Sequence, residues 1–143
     1  MRRKIVVDTN VLIASLLKDS IVRYILLSLE YQFFLPEYAL KEIEKYKSEL
    51  IEKGNYTQEE FDSILGFILE SIKLVSDDEI SLFIDNARNI MKDIDIKDCP
   101  FVATALAVDA EGIWSFDEHF KKQKEIKVFD IKDLLGQIGE DIE

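Results

Sequence analysis

The chain has 143 residues, 48% of them hydrophobic, with 29 acidic side chains against 18 basic ones and a formal net charge of −11. That length suffices for one domain with a core of its own, and the acid excess excludes a simple electrostatic nucleic-acid binder, whose affinity comes from Lys and Arg neutralising phosphates. A polyanionic ligand would need a bound divalent metal or a basic partner chain to help hold it.

No apolar run approaches the roughly 20 residues of a membrane span, and Met1-Arg2-Arg3-Lys4 leads straight into strand-like sequence without a signal-peptide core, so a cytoplasmic protein with no membrane contact is expected. A single cysteine, Cys99, excludes a disulfide framework and a cysteine-based zinc site. Its expected role is packing, because the lone histidine, His119, is the one basic partner that could activate it as a nucleophile.

Taken in order, Lys4-Ile5-Val6-Val7 is a short run suited to a strand buried on both faces, and Asp8 ends it. In an open α/β sheet the carboxyl end of a strand faces the ligand crevice, so Asp8 stands at a site position. Asp8-Thr9-Asn10 also suits the cap of a following helix and nothing more. Val11 to Leu17 is a short buried helix, and Ile21, Val22, Ile25, Leu26 and Leu29 mark a second. Gln32-Phe33-Phe34-Leu35 is an aromatic strand closed by Pro36, which starts a helix whose apolar stripe is Leu40, Ile43, Leu50 and Ile51. Glu42 lies in that helix's first turns. Thr57 and Glu60 form a capping box for a helix with Phe61, Ile64, Leu65, Ile68 and Leu69, and the two helices together are expected to form an arm over residues 37–70.

Ser71 to Val75 is a third strand, followed by an acid-rich helix start at Ser76-Asp77-Asp78-Glu79 that carries Ile80, Phe83, Ala87, Ile90 and Met91. Past the stretch from Asp93 to Asp98, Pro100 opens a helix, Phe101 to Val108, that is apolar nearly all round and must be packed against the sheet. Gly112 to Phe116 is strand-like and ends at Asp117, Val128-Phe129 is a last strand, and Asp130 caps a helix with Ile131, Leu134 and Leu135. Strands alternating with helices imply βαβ units and a central parallel sheet of four or five strands. The expected architecture is a three-layer α/β/α sandwich in one domain over residues 1–135, with an acidic, frayed tail over 136–143.

Four acids share one kind of placement: Asp8 after the first strand, Glu42 early in a helix, Asp98 at a helix start and Asp117 after a late strand. In a parallel sheet these positions lie on one edge, so the four can converge. Converging carboxylates repel and raise one another's pKa unless a cation sits among them, and an oxygen-only donor set without cysteine or a nearby histidine points to Mg²⁺ or Mn²⁺. Such a site suits phosphodiester hydrolysis. The competing reading is plain surface acidity, since some of 29 acids will fall near strand ends by chance.

Together, Asp8-Thr9-Asn10, Pro36-Glu37-Tyr38-Ala39-Leu40-Lys41-Glu42, the run from Asp98 to Ala107, and Trp114-Ser115-Phe116-Asp117-Glu118-His119-Phe120 resemble the PIN domain family, in particular its prokaryotic VapC-type toxins. The resemblance spans essentially the whole chain with its motifs in order. It implies a Mg²⁺- or Mn²⁺-dependent endoribonuclease acting on RNA, a helical arm, a homodimer and a cognate antitoxin protein that blocks the site. Residue by residue, Asp8, Glu42, Asp98 and Asp117 match the family's acidic positions. Thr9 or Asn10, and Ser115, match its polar supporting positions, where they would hold a carboxylate or a metal-bound water. Phe116 departs from the pattern, standing where many relatives carry a polar residue.

Asp95 either shares metal duty or caps the next turn, with the cap favoured; Glu118 is read as solvated and His119 as a loop or interface residue rather than a general base. Local basic patches at Lys41, Lys45 and Lys47, and at Lys121, Lys122, Lys124 and Lys127, are the candidates for RNA contact, against the reading that each is a solvated face. The alternative function is a PIN-like scaffold, weakly active or inactive, that serves as a protein-interaction module.

Overall fold

The computed structural model describes residues 2–92 and 95–142. Ile5, Val6 and Val7 are fully buried, and the strand they form, β1 (Arg3–Val7), lies at the centre of a five-stranded sheet. The other strands are β2 (Tyr31–Pro36), β3 (Ile72–Val75), β4 (Gly112–Trp114) and β5 (Lys127–Phe129). Their spatial order is β3-β2-β1-β4-β5 and every pairing is parallel. Both-face burial explains why β1 and β2 read as unbroken apolar or aromatic runs rather than alternating ones. Helices flank the sheet in an α/β/α sandwich, as the alternation of patterns in the sequence leads one to expect.

Two helices bring site residues to the sheet edge. Asp8 caps α1 (Thr9–Leu16) by accepting the Thr9 backbone N–H, so its capping role and its place at a strand end coexist. The apolar α8 (Cys99–Val108) packs against β1, β2 and β4, with Cys99 buried as a packing residue. The 37–70 segment holds α3 (Glu37–Lys45), α4 (Lys47–Gly54) and α5 (Gln58–Leu69), and all three pack back on α1. The stripe from Leu40 to Ile51 predicts one continuous helix, but the chain breaks at Tyr46, which ends α3 and begins α4. Likewise the 77–91 pattern divides into α6 (Asp77–Ser81) and α7 (Ile84–Ile90). The capping box of Thr57 and Glu60 forms as expected.

The last helix, α9 (Ile131–Ile142), continues across Gly136 and Gly139 instead of ending at Leu135. Tertiary anchoring outweighs glycine's low helix propensity here: Leu134 and Ile138 are buried, and the Tyr31 hydroxyl donates to the Leu134 carbonyl at 2.7 Å and lies 2.8 Å from Gln137 Oε1. The helix thus spans most of the 136–143 segment expected to be a tail, and Glu143 lies outside the described residues.

Gly112 opens β4 where β5 lies closest. A Cβ there would collide with the Lys127 carbonyl oxygen and approach the Phe129 ring to 2.7 Å. Gly112→Ala is expected to cost about 1–3 kcal/mol through forced repacking between the two strands, read as a lowered denaturation midpoint with an unchanged slope.

Candidate active site

Parallel register aligns the ends of β1 and β4. Val7 pairs with Trp114, and the Asp8 backbone N–H donates to the Trp114 carbonyl at 3.0 Å. The residues that follow each strand therefore stand side by side: Ser115 Oγ donates to Asp8 Oδ2 at 2.7 Å, and the same oxygen accepts the Asp117 backbone N–H at 2.9 Å. Ser115 is thus tied to both strand-end acids. From α3, Glu42 Oε1 accepts the Thr9 hydroxyl at 2.7 Å. Thr9, not Asn10, makes the supporting contact; Asn10 is exposed and makes no side-chain hydrogen bond among the described residues.

Asp98 enters from the 3₁₀ turn ahead of α8. Carboxylate oxygens of Asp98 and Asp117 and a ring nitrogen of His119 lie within 4.8 Å of one another. His119 Nδ1 is 3.4 Å from Asp117 Oδ1, which also accepts the His119 backbone N–H at 2.9 Å. The expectation of no histidine near the acids is not met, since the His119 ring lies beside Asp117. The available signal was its position two residues beyond Asp117, where a single turn returns the ring to the carboxylate. Asp95 Oδ1 accepts the Lys97 N–H at 2.9 Å, which is the capping role. Glu118 reaches outward to Lys121 at 3.5 Å. Phe116 is exposed and packs edge-on against Trp114.

The electrostatics match this crowding. Burial pushes the Asp8 carboxyl from its ordinary 3.8 up to about 6; the bonds from Ser115 and Thr9 oppose the rise, while Asp117 and Glu42 add to it. Asp98 is pushed up to about 7 by burial and then by the fields of Asp117, Asp8 and Asp95, with His119 opposing. Burial raises the Tyr38 hydroxyl too, helped by Glu42, Asp95 and Asp98. Among the described residues, no Lys or Arg pairs with Asp8, Glu42, Asp98 or Asp117. Asp98 Oδ2 is shut off from solvent without a hydrogen-bond partner, a costly state for a carboxylate oxygen. Asp98 thus combines an orphaned buried oxygen with a place beside the Asp117 carboxylate and one imidazole, which fits a divalent cation whose charge would offset the repulsion.

A PIN domain family model matches residues 6–128. The chain belongs to the PIN domain family. PIN domains are generally nucleases that use divalent metals, and the acidic edge described above is where this chain could hold one. Among solved structures, the PIN chain is similar to VapBC2 from Rickettsia felis bound to a DNA fragment from their promoter, with a TM-score of 0.69 and 16% identity over 89% of this chain and 98% of that one. It is also similar to a toxin-antitoxin complex from Klebsiella pneumoniae, with a TM-score of 0.58 and 14% identity over 80% of this chain and 87% of the other. At these identities the likeness concerns the fold. None of the curated proteins matches the chain.

In metal-free protein, the raised carboxyls bind protons more tightly when folded than when unfolded. Their favourable contribution is fully present below pH 3.8 and is lost as the pH rises through about 6 for Asp8 and about 7 for Asp98. In the presence of a chelator, Asp98→Asn is therefore expected to be more stable than wild type at pH 8 by about 1–2 kcal/mol, solvent screening allowed for. The gap should close by pH 4, as read by thermal melts at both pH values.

Proposed function

We propose that this PIN domain is a Mg²⁺- or Mn²⁺-dependent endoribonuclease that hydrolyses RNA phosphodiester bonds, and that it is the toxin of a toxin-antitoxin pair. The observation that carries the reading is the approach of donor atoms of Asp98, Asp117 and His119 to within 4.8 Å of one another at a sheet edge where Asp8 and Glu42 add their fields, with no Lys or Arg paired to these acids among the described residues. Asp98, Asp117 and Asp8 would hold the metal, His119 offering a donor within 4.8 Å of those of Asp98 and Asp117 and Glu42 standing as a further candidate. When bound, the metal supplies Lewis-acid polarisation of a phosphate oxygen and a water of lowered pKa.

The chain's own residues do the rest. Ser115 fixes the rotamer of Asp8 and, through the Asp117 N–H, the backbone that presents Asp117. Thr9 anchors Glu42 across the gap between α1 and α3. Burial of Asp8 and Thr9 keeps bulk water from competing for these bonds. Support for a protein partner comes from the two similar structures, VapBC2 bound to a promoter DNA fragment and a toxin-antitoxin complex, and from α2 (Ser20–Leu26) and the residue after it, where Ile21, Tyr24 and Leu27 are exposed. The partners are then RNA, an antitoxin and a second copy of the chain as a homodimer. Among the described residues no helix is long and apolar enough to cross a membrane, and the proposed setting is the cytoplasm.

Isothermal titration with Mn²⁺, wild type beside Asp8→Asn, tests the metal site. Heat in the wild type that vanishes in the variant, together with chelator-sensitive RNA cleavage lost in Asp8→Asn/Asp98→Asn/Asp117→Asn, is the expected result. Equal heats, or none in either protein, would favour a PIN-like interaction module. Ser115→Ala leaves every ligand in place but frees Asp8, and is expected to weaken metal affinity or cleavage about 10–100-fold.

A further inference from the structure

Beside the acidic edge lies a cavity of about 250 Å³ lined by Tyr38, Lys41, Glu42, Lys45, Tyr46 and Lys97. Three cations and two phenol rings meet there around one acid. Glu42 belongs to both places, lining the cavity while its carboxylate takes the Thr9 hydroxyl on the side of the cluster. Tyr38 links them as well, because its hydroxyl feels Glu42, Asp95 and Asp98.

Not all three cations are equally available. Lys41 pairs with Asp77 at 3.1 Å. Lys45 and Lys97 pair with no acid among the described residues, and they arrive from different elements, the end of α3 and the turn before α8. Lys45 Nζ stands 5.4 Å from the centre of the Tyr46 ring, and Tyr46, at the break between α3 and α4, is 40% exposed. Lys47, grouped with these residues by the sequence reading, is turned away to Asp62 at 2.9 Å.

We infer that this cavity seats one unpaired nucleotide of the RNA strand next to the phosphodiester at the acidic edge, with Lys45 and Lys97 taking backbone phosphate and Tyr46 offering its ring to the base. The inference rests on the nuclease reading and names the state of its substrate, a single strand. Aromatic faces beside backbone-tracking cations are how proteins hold single strands without reading sequence. A volume just below the usual range of small-ligand pockets suits one nucleotide rather than a duplex edge. An acidic peptide would satisfy the two lysines but leave both rings unfilled. Stacked bases of a duplex present no free face to Tyr46.

The test is fluorescence anisotropy of a labelled eight-nucleotide single-stranded RNA in EDTA, all proteins carrying Asp8→Asn to silence cleavage. Tyr46→Ala is expected to weaken binding about 5- to 100-fold and Tyr46→Phe to leave it intact. Lys45→Ala/Lys97→Ala should weaken it and lower the slope of log affinity against log salt by about 1.4. RNA duplex should bind at least 10-fold more weakly. Unchanged affinity in these variants, equal binding of duplex, or no RNA binding at all overturns the inference. Mn²⁺ heats measured with Asp8 restored separate it from the nuclease reading. Heats retained in Tyr46→Ala alongside lost RNA affinity support the seat, and absent heats in the wild type with Tyr46-dependent RNA binding leave the seat standing while the metal site fails.

Discussion

The constraint on which everything else depends is the parallel registration of β1 with β4. It fixes Val7 opposite Trp114 and so places the next residues of two distant segments, Asp8 and Ser115, within one hydrogen bond of each other. A one-residue slip would turn Asp8 toward the opposite face of the sheet and break that bond. Register is held by burial on both faces: Ile5, Val6, Val7, Ile113 and Trp114 are all inaccessible to solvent, and any shift would expose some of them or bury Asp8 in the core. The hydrophobic effect, which is non-directional, thereby acquires a direction at the sheet edge and sets carboxylates that are far apart in sequence against one another.

Those carboxylates are held together against their own repulsion. The fold itself does little to relieve it: Ser115 and the Thr9 N–H stabilise charge on Asp8, but Asp98 Oδ2 has no partner. Strong pKa perturbation by burial together with like charge, in several side chains at one place, characterises functional sites more than structural ion pairs, which lower carboxylate pKa values. The contrast exists within this molecule, since Glu111 bonded to Arg3 at the opposite end of the sheet is shifted down. One end of the sheet holds a relaxed ion pair, and the other stores electrostatic tension that a cation would release.

The five-stranded sheet was legible in the sequence because burial on two faces writes itself as short apolar runs, and Asp8 because polarity changes abruptly after Val7; β4, expected to run to Phe116, ends at Trp114, since Phe116 is exposed and apolar character alone does not mark the strand's end. Helix breaks were harder to read. Leu40, Ile43, Leu50 and Ile51 keep helical spacing across Tyr46, so periodicity alone cannot show that the chain turns there. The approach of His119 to Asp117 depends on a 3₁₀ turn that carries no apolar pattern, so the sequence does not display it. The choice between Thr9 and Asn10 needed α1 in place, since adjacent helical residues point about 100° apart and one alone can face Glu42. In the same way Lys45 and Lys47 look equivalent in the sequence, yet the break at Tyr46 sends one to the cavity and the other to Asp62.

The strongly acidic composition and the polyanionic substrate proposed for it are reconciled by that division of the lysines. With a net charge of −11 the surface as a whole repels RNA, so non-specific binding, which accumulates from many phosphate contacts, is suppressed. Beside the acidic edge, attraction would come from a cation held among the acids and from Lys45 and Lys97, which line the cavity and pair with no acid among the described residues. Screening confines it further, because at physiological salt a charge acts over about 8 Å, and only a strand already threaded beside Glu42 would feel Lys45, Lys97 and the acidic edge together. On this reading the acidity is a filter that admits a substrate able to reach the edge as a single strand and turns away nucleic acid that can offer only its outer phosphates.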